Sequence, residues 1–268
     1  MGLSTDQVSK LTTTQLAAMT TDQIAAMETA DLAAITSVQI SALTTAQVAA
    51  LTTDQVISMA TLQVAGMTTA QVAALTTDHF SNLTTKQLLA MTTKQVAAME
   101  TEDQQALTTT QLVALITTQV AALTTAQVDA LTTAQVAAMT TAQLVALKTA
   151  QVATLATDDL QALTTKQLVS MTTAQVMSMT TDQVAALTTD QIVSLLTKQL
   201  AGMTTAQVAA LGTATVRALS GVQIAALTTT QMGALTTVQL PVLSTAQIFA
   251  LEIADLQALR SVQVAALT

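Results

Sequence analysis

The sequence predicts an all-α solenoid, a superhelix of 33 octapeptide repeats with one short helix in each. Three observations carry this expectation. From Leu3 to Ala266 the chain cuts into 33 consecutive octads without an insertion or deletion. The octad itself, as in 43–50 (Leu-Thr-Thr-Ala-Gln-Val-Ala-Ala), is rich in helix-favouring residues, and its Thr-x-x-Gln has capping-box spacing. Only six Gly, Pro241 and Asn82 are available for the tight corners that a strand-based coil needs. A fixed short period with no linker or composition shift also implies one domain, 1–268, built from neighbour contacts.

Two other folds can carry a period of eight. A β-solenoid is the alternative, because Thr and Val form strands and three octads would make one triangular coil. A single continuous helix fails, since eight residues overshoot two turns by about 80° and the apolar stripe would wind round the rod.

Each position of the octad has its own reading. Position 1 is Leu or Met except at Ile35, and position 6 is apolar except at Gln104; these form the core. Position 8 is Ala in 23 octads, which implies a close backbone contact. Position 4 varies among Asp, Lys, Ala, Thr and Val, and position 7 accepts Asp129, Arg217, Gln161 and Phe249, so both face solvent. Position 5 is Gln in 27 octads. Lying between a surface and a core position, it is expected to form a ladder of amides bonding backbone groups of its own turn or the adjacent coil.

The helix start is less clear. Capping-box and hydrophobic-staple spacings favour position 2 as N-cap. Position 2, however, admits Ile116, Leu196, Lys148, Arg260 and Ala60, which cannot cap, whereas position 3 departs from Thr or Ser only at Gly221 and Ile253. On that count the position 3 threonine is the expected cap. Helices of five or six residues are too short to persist alone and must pack on neighbours.

Some octads break the pattern. Octad 75–82 has His79 in the Gln slot and Phe80 in the Val slot. With no second His and no Cys, His79 reads as a substituted Gln that keeps one hydrogen bond. Octad 99–106 gathers Glu100, Glu102, Asp103, Gln104 and Gln105. These carboxylates suggest a hard-cation site, but no glycine-bearing loop accompanies them, so a solvated face is the preferred account. Asp fills position 5 at Asp31, Asp103, Asp159 and Asp255, three times with Glu at position 2 (Glu28, Glu100, Glu252), which suggests local capping chemistry. From about 211 the repeats loosen, with Gly212, Thr215, Gly221, Pro241 and Ile253.

Composition bounds function. A net charge of −8 argues against a nucleic-acid partner. No Cys is present, so thiolate chemistry and Cys-ligated metals are excluded. No apolar run is long enough for membrane insertion. No nucleophile elbow, phosphate loop or zinc motif occurs, so catalytic, cofactor and metal residues are expected to be none, and the protein is not expected to be an enzyme. The N-terminal octad shows no polar cap, so that end is expected to continue into other sequence or to self-associate with another molecule.

Octads of the Leu-Thr-Thr-Ala-Gln-Val-Ala-Ala form resemble repeat tracts of large bacterial secreted and cell-surface proteins of the adhesin type. That resemblance covers the whole chain and implies an extracellular or cell-surface spacer. Octad 51–58 also looks like the helix opening of TAL-effector repeats, without their base-reading loop. The expected function is thus a structural repeat module, rod-like spacer or surface array. Ice or surface binding by stacked Thr ladders is the first alternative, and a peptide- or protein-binding solenoid the second. With three or four helices to a coil and helices about 8–10 Å apart, such a rod would be on the order of 65–110 Å long.

Overall fold

In the computed structural model, residues 4–267 are described; Leu3, which opens the first octad, lies outside them. Each octad contributes one helical element. Among the described residues these are 32 α-helices of four to six residues, from Thr5–Ser9 to Ser261–Val264, and one 3-10 turn, Leu240–Val242. No strand occurs among the described residues, so the β-solenoid is set aside and the all-α repeat fold stands.

The cap falls on position 2, which corrects the expectation that position 3 supplies it. In octad 43–50, Thr44 is extended at φ −72° and ψ 158°, and its hydroxyl accepts the Gln47 N–H. In return the Thr44 N–H donates to Gln47 Oε1 at 2.8 Å. Residues that cannot cap are tolerated at position 2 because the glutamine supplies half of the box by itself. The N–H groups of Ala60, Ile116, Lys148, Leu196 and Arg260 all donate to the Oε1 three residues on. This register also makes positions 1 and 6 the staple pair.

The uniformity of position 3 has a different cause. It is the first helical residue, and its side chain packs against position 8 of an octad in the next coil. A Cβ built on Gly66 would lie 2.6 Å from the Ser37 Cβ, and one on Gly202 would collide with the Thr173 methyl. The close backbone contact expected of position 8 is therefore real, and position 3 is its other half.

The chain forms two compact units, Met1–Ala138 and Met139–Thr268. In the first, helices stack three octads apart, as Thr45–Ala49 does on Thr69–Ala73. In the second, Thr165–Ser170 and Thr189–Ser194 do the same. Partners across a stack lie 25 to 31 residues apart, so the chain meets itself after between three and four octads. Position 6 is buried from Val8 to Leu240 and position 1 from Met27 to Leu243, while position 4 is exposed. The core is thus two columns of medium-sized side chains, with Phe80 the largest fully buried one.

Val136 is wholly buried and Ala134 is exposed. Val136→Asp should place a charge between coils and cost several kcal/mol. Ala134→Asp should change stability by less than about 0.5 kcal/mol. Equal shifts of the melting temperature would refute the inside–outside assignment.

Candidate functional site: the glutamine ladder and its interruptions

The recurrent polar site of the molecule is internal. Every position 5 residue from Asp31 to Gln263 is buried. In the first unit, Gln47 Oε1 caps its own helix while Nε2 donates to Leu16 O at 2.9 Å and Met19 O at 2.7 Å. In the second, Gln191 Nε2 donates to Leu160 O and Leu163 O, both at 2.8 Å. The acceptors lie 31 and 28 residues back, at the last turn of one helix and the first residue of the next octad. A single carboxamide thus caps the N-terminus of one helix and the C-terminus of another in the coil beneath. The amide ladder expected from the sequence is present.

The interruptions show what the slot requires. His79 is buried, accepts the Thr76 N–H at Nδ1 (3.2 Å), and bonds Leu51 O through Nε2 at 2.8 Å. Its two ring nitrogens stand in for the two ends of the amide, as its reading as a substituted glutamine requires. Pro241 turns an α-helix into a 3-10 turn, yet Gln239 still pairs with Thr236 and still reaches Leu211 O at 2.7 Å. The ladder survives where the helix does not. Asp159 and Asp255 keep the capping half, accepting the N–H of Ala156 and Glu252. Asp31 instead accepts the Thr5 hydroxyl at 2.8 Å. Within the Asp–Glu pairs, Asp103 and Asp255 accept the N–H of the paired Glu and Asp31 does not, while Glu28, Glu100 and Glu252 make no side-chain cap bond.

Octad 99–106 is the exception. Gln104 fills the position 6 slot, fully buried, and neither its Oε1 nor its Nε2 has a partner. Beside it, Asp103 is buried with Oδ2 unpartnered. Burial pushes its pKa from 3.8 up to about 6; the Glu100 N–H opposes the rise, and the Glu100 and Glu102 charges add to it. Glu102 is exposed, and its own backbone and the Thr101 hydroxyl hold its pKa below the usual carboxylate value. The three carboxylates do not converge: among the described residues no three acidic, His or Cys side chains gather as a metal site would require. No helix is long and apolar enough to cross a membrane among those residues.

The model of one repeat family, the ALTTAQ repeat, matches residues 1–27, 24–61, 64–101, 96–133, 128–157, 153–189 and 206–237. The chain belongs to that family. Each matched stretch is longer than three octads, comparable with the 28 to 31 residues that separate a ladder amide from its acceptors. No curated protein matches the chain. What this match shows is the repeat family, recurring in tandem along the chain, and not an adhesin context.

Two predictions follow from octad 99–106. Gln104→Leu, the residue found fully buried in the same slot at Leu112, should raise stability by about 2 kcal/mol by removing two unsatisfied buried groups. Chemical denaturation would measure it; a loss of stability would mean that the amide has an unrecognised partner. Asp103 has a raised folded-state pKa, so its stabilising contribution is full below 3.8 and is lost as pH rises through about 6. Asp103→Asn should therefore stabilise at pH 7.5, on the order of 2 kcal/mol, and be near neutral at pH 4.

Proposed function

We propose that the chain is a non-enzymatic structural repeat module, acting as a spacer or surface-array segment of a bacterial extracellular protein. The observation that carries this reading is where the recurrent polar chemistry goes. The position 5 amides, the one polar group repeated in nearly every octad and buried, are used up between coils. The exposed position 4 varies from octad to octad, as suits a surface selected for solubility.

A spacer is defined by length in whole units. Deleting octad 67–74 should leave a cooperatively folded helical protein, with the melting temperature lowered by only a few degrees. Deleting residues 69–72 should abolish cooperative unfolding, because half an octad puts every later amide out of phase. Circular dichroism melts would separate the two. Tolerance of the half-octad deletion, or a reproducible enzymatic turnover lost on a single substitution, would sink the reading.

Thr44 and Thr45 are both exposed, and that pair recurs octad after octad. This favours ice or surface binding as a second reading. The position 2 hydroxyls are occupied in caps, which leaves position 3 as the available column. Absence of thermal hysteresis would remove it.

A further inference from the structure

The second unit carries opposite charges on its two sides. A ladder amide lies over a carbonyl 28 residues back, as Gln175 does over Leu147 O and Gln191 over Leu163 O. Residues 28 apart therefore share one side of the coil, and Val145, Thr173, Ala201 and Thr229 fall on one line along the unit. Lys148 stands 3 residues after Val145, Lys166 7 before Thr173 and Lys198 3 before Ala201, all three exposed. Exposed apolar residues gather about the same line: Val145 itself at 42 %, Met177 at 51 %, Leu196 at 41 % and Val222 at 72 %. Asp158 lies 13 residues after Val145, and Asp182 and Asp190 lie 9 and 17 after Thr173, round the opposite half of the coil. Over 139–240 only Arg217 and Val238 depart from this separation. Further on, Glu252 and Arg260 both fall on the lysine side and offset each other. In the first unit Leu62, Leu89 and Ile116 gather in the same way about Ile57 and Val113, but Asp54 lies among them.

We infer that the second unit docks on an anionic lipid bilayer through the lysine side, with its acidic side turned to water. This rests on the structural-module reading and names the surface that such a module lies on. Ammonium groups interspersed with exposed aliphatic side chains suit the boundary between anionic headgroups and acyl chains, where both charge and apolar area add to binding. The lysine stems supply apolar contact of their own. The carboxylates opposite do not prevent this. A coil is at least two helix diameters wide, about 20 Å, against a screening length of about 8 Å at physiological salt. A chain with a net charge of −8 thus presents a basic side. A second copy, set with its acidic side against the lysines, is the poorer occupant. Exposed ion pairs gain little, and over the same stretch that side offers Val238 alone to cover four apolar residues. Docking of this kind needs no spanning segment, and no helix among the described residues is long and apolar enough to be one.

The test is co-sedimentation of the full 268-residue chain with vesicles. Vesicles of phosphatidylglycerol and phosphatidylcholine in equal parts should bind it, and vesicles of phosphatidylcholine alone should not. Lys148→Gln with Lys166→Gln and Lys198→Gln should weaken binding more than about tenfold. Gln161→Glu with Ala185→Glu and Ala214→Glu makes the same change of net charge on the acidic side, and should leave binding within about twofold. Lys148→Arg with Lys166→Arg and Lys198→Arg should bind like wild type. All these sites are exposed, so each variant should keep its helical circular dichroism spectrum. A wild type that ignores anionic vesicles or binds both lipids equally would overturn the proposal. So would a glutamine variant that binds like wild type, or equal losses from the two sides. Self-association without lipid, lost in the glutamine variant, would make a second copy the occupant and overturn it too. Each of these outcomes leaves the spacer reading standing, because that reading is tested by the octad deletions.

Discussion

The carboxamide of the position 5 glutamine bonds backbone groups from three octads at once. Gln127 holds the Thr124 N–H on one side and the carbonyls of Val96 and Met99 on the other, at 2.8, 2.9 and 2.7 Å. A carboxylate could supply the acceptor but not the donor, and asparagine would fall a methylene short. With each such bond contributing roughly 1 kcal/mol net, the larger effect is the penalty for leaving buried helix ends unpaired. A core of Leu, Val and Met supplies the driving force for burial. The amide decides which helix ends are permitted to be buried.

Helices of four to six residues lie far below the length at which an isolated helix is stable in water. Their persistence follows from the coupling of local and long-range contacts in the same residues. The cap and the staple set the start of each helix, and the ladder bond closes the end of a helix about 30 residues earlier. Stability is then close to a sum over units and nearest-neighbour interfaces. Octad 99–106 lacks both a side-chain cap and a ladder donor, and it adds unpartnered amide atoms to the core. Unpaired buried groups of this kind lower the cost of a local opening at that octad.

Much of this was legible in the sequence, and the limits have physical causes. The core columns, the exposed position 4, the substitution at His79 and the amide ladder all follow from the octad alone. The cap is not legible in the same way, because the freedom of position 2 to vary hides the role of its hydroxyl. Position 2 is free to vary since Gln Oε1 holds its N–H regardless, and position 3 is fixed by a packing contact with an octad one coil away. The number of octads per coil leaves no trace in a sequence whose octads are nearly alike, since every choice of neighbour presents the same residues. The unpaired state of Gln104 is likewise a matter of its surroundings: a polar residue in the position 6 column was visible, but its lack of partners was not.

The absence of any insertion or deletion over 264 residues also has its reason in the ladder. The two carbonyls that share one Nε2 sit on opposite sides of a bend, Val56 O at the end of one helix and Met59 O at the start of the next octad, both bonded by Gln87. Lengthening the bend by one residue would move the second carbonyl out of reach of the first one's donor. Surface loops ordinarily accept such insertions at little cost, because closing a longer loop is entropically cheap. Here the bend lies beneath a buried amide, so an extra residue would strip a donor from a buried carbonyl at every bend so altered. Substitution at positions 4 and 7 remains free, while length is fixed to the residue. A repeat that drifts in sequence but not in length is what this geometry demands.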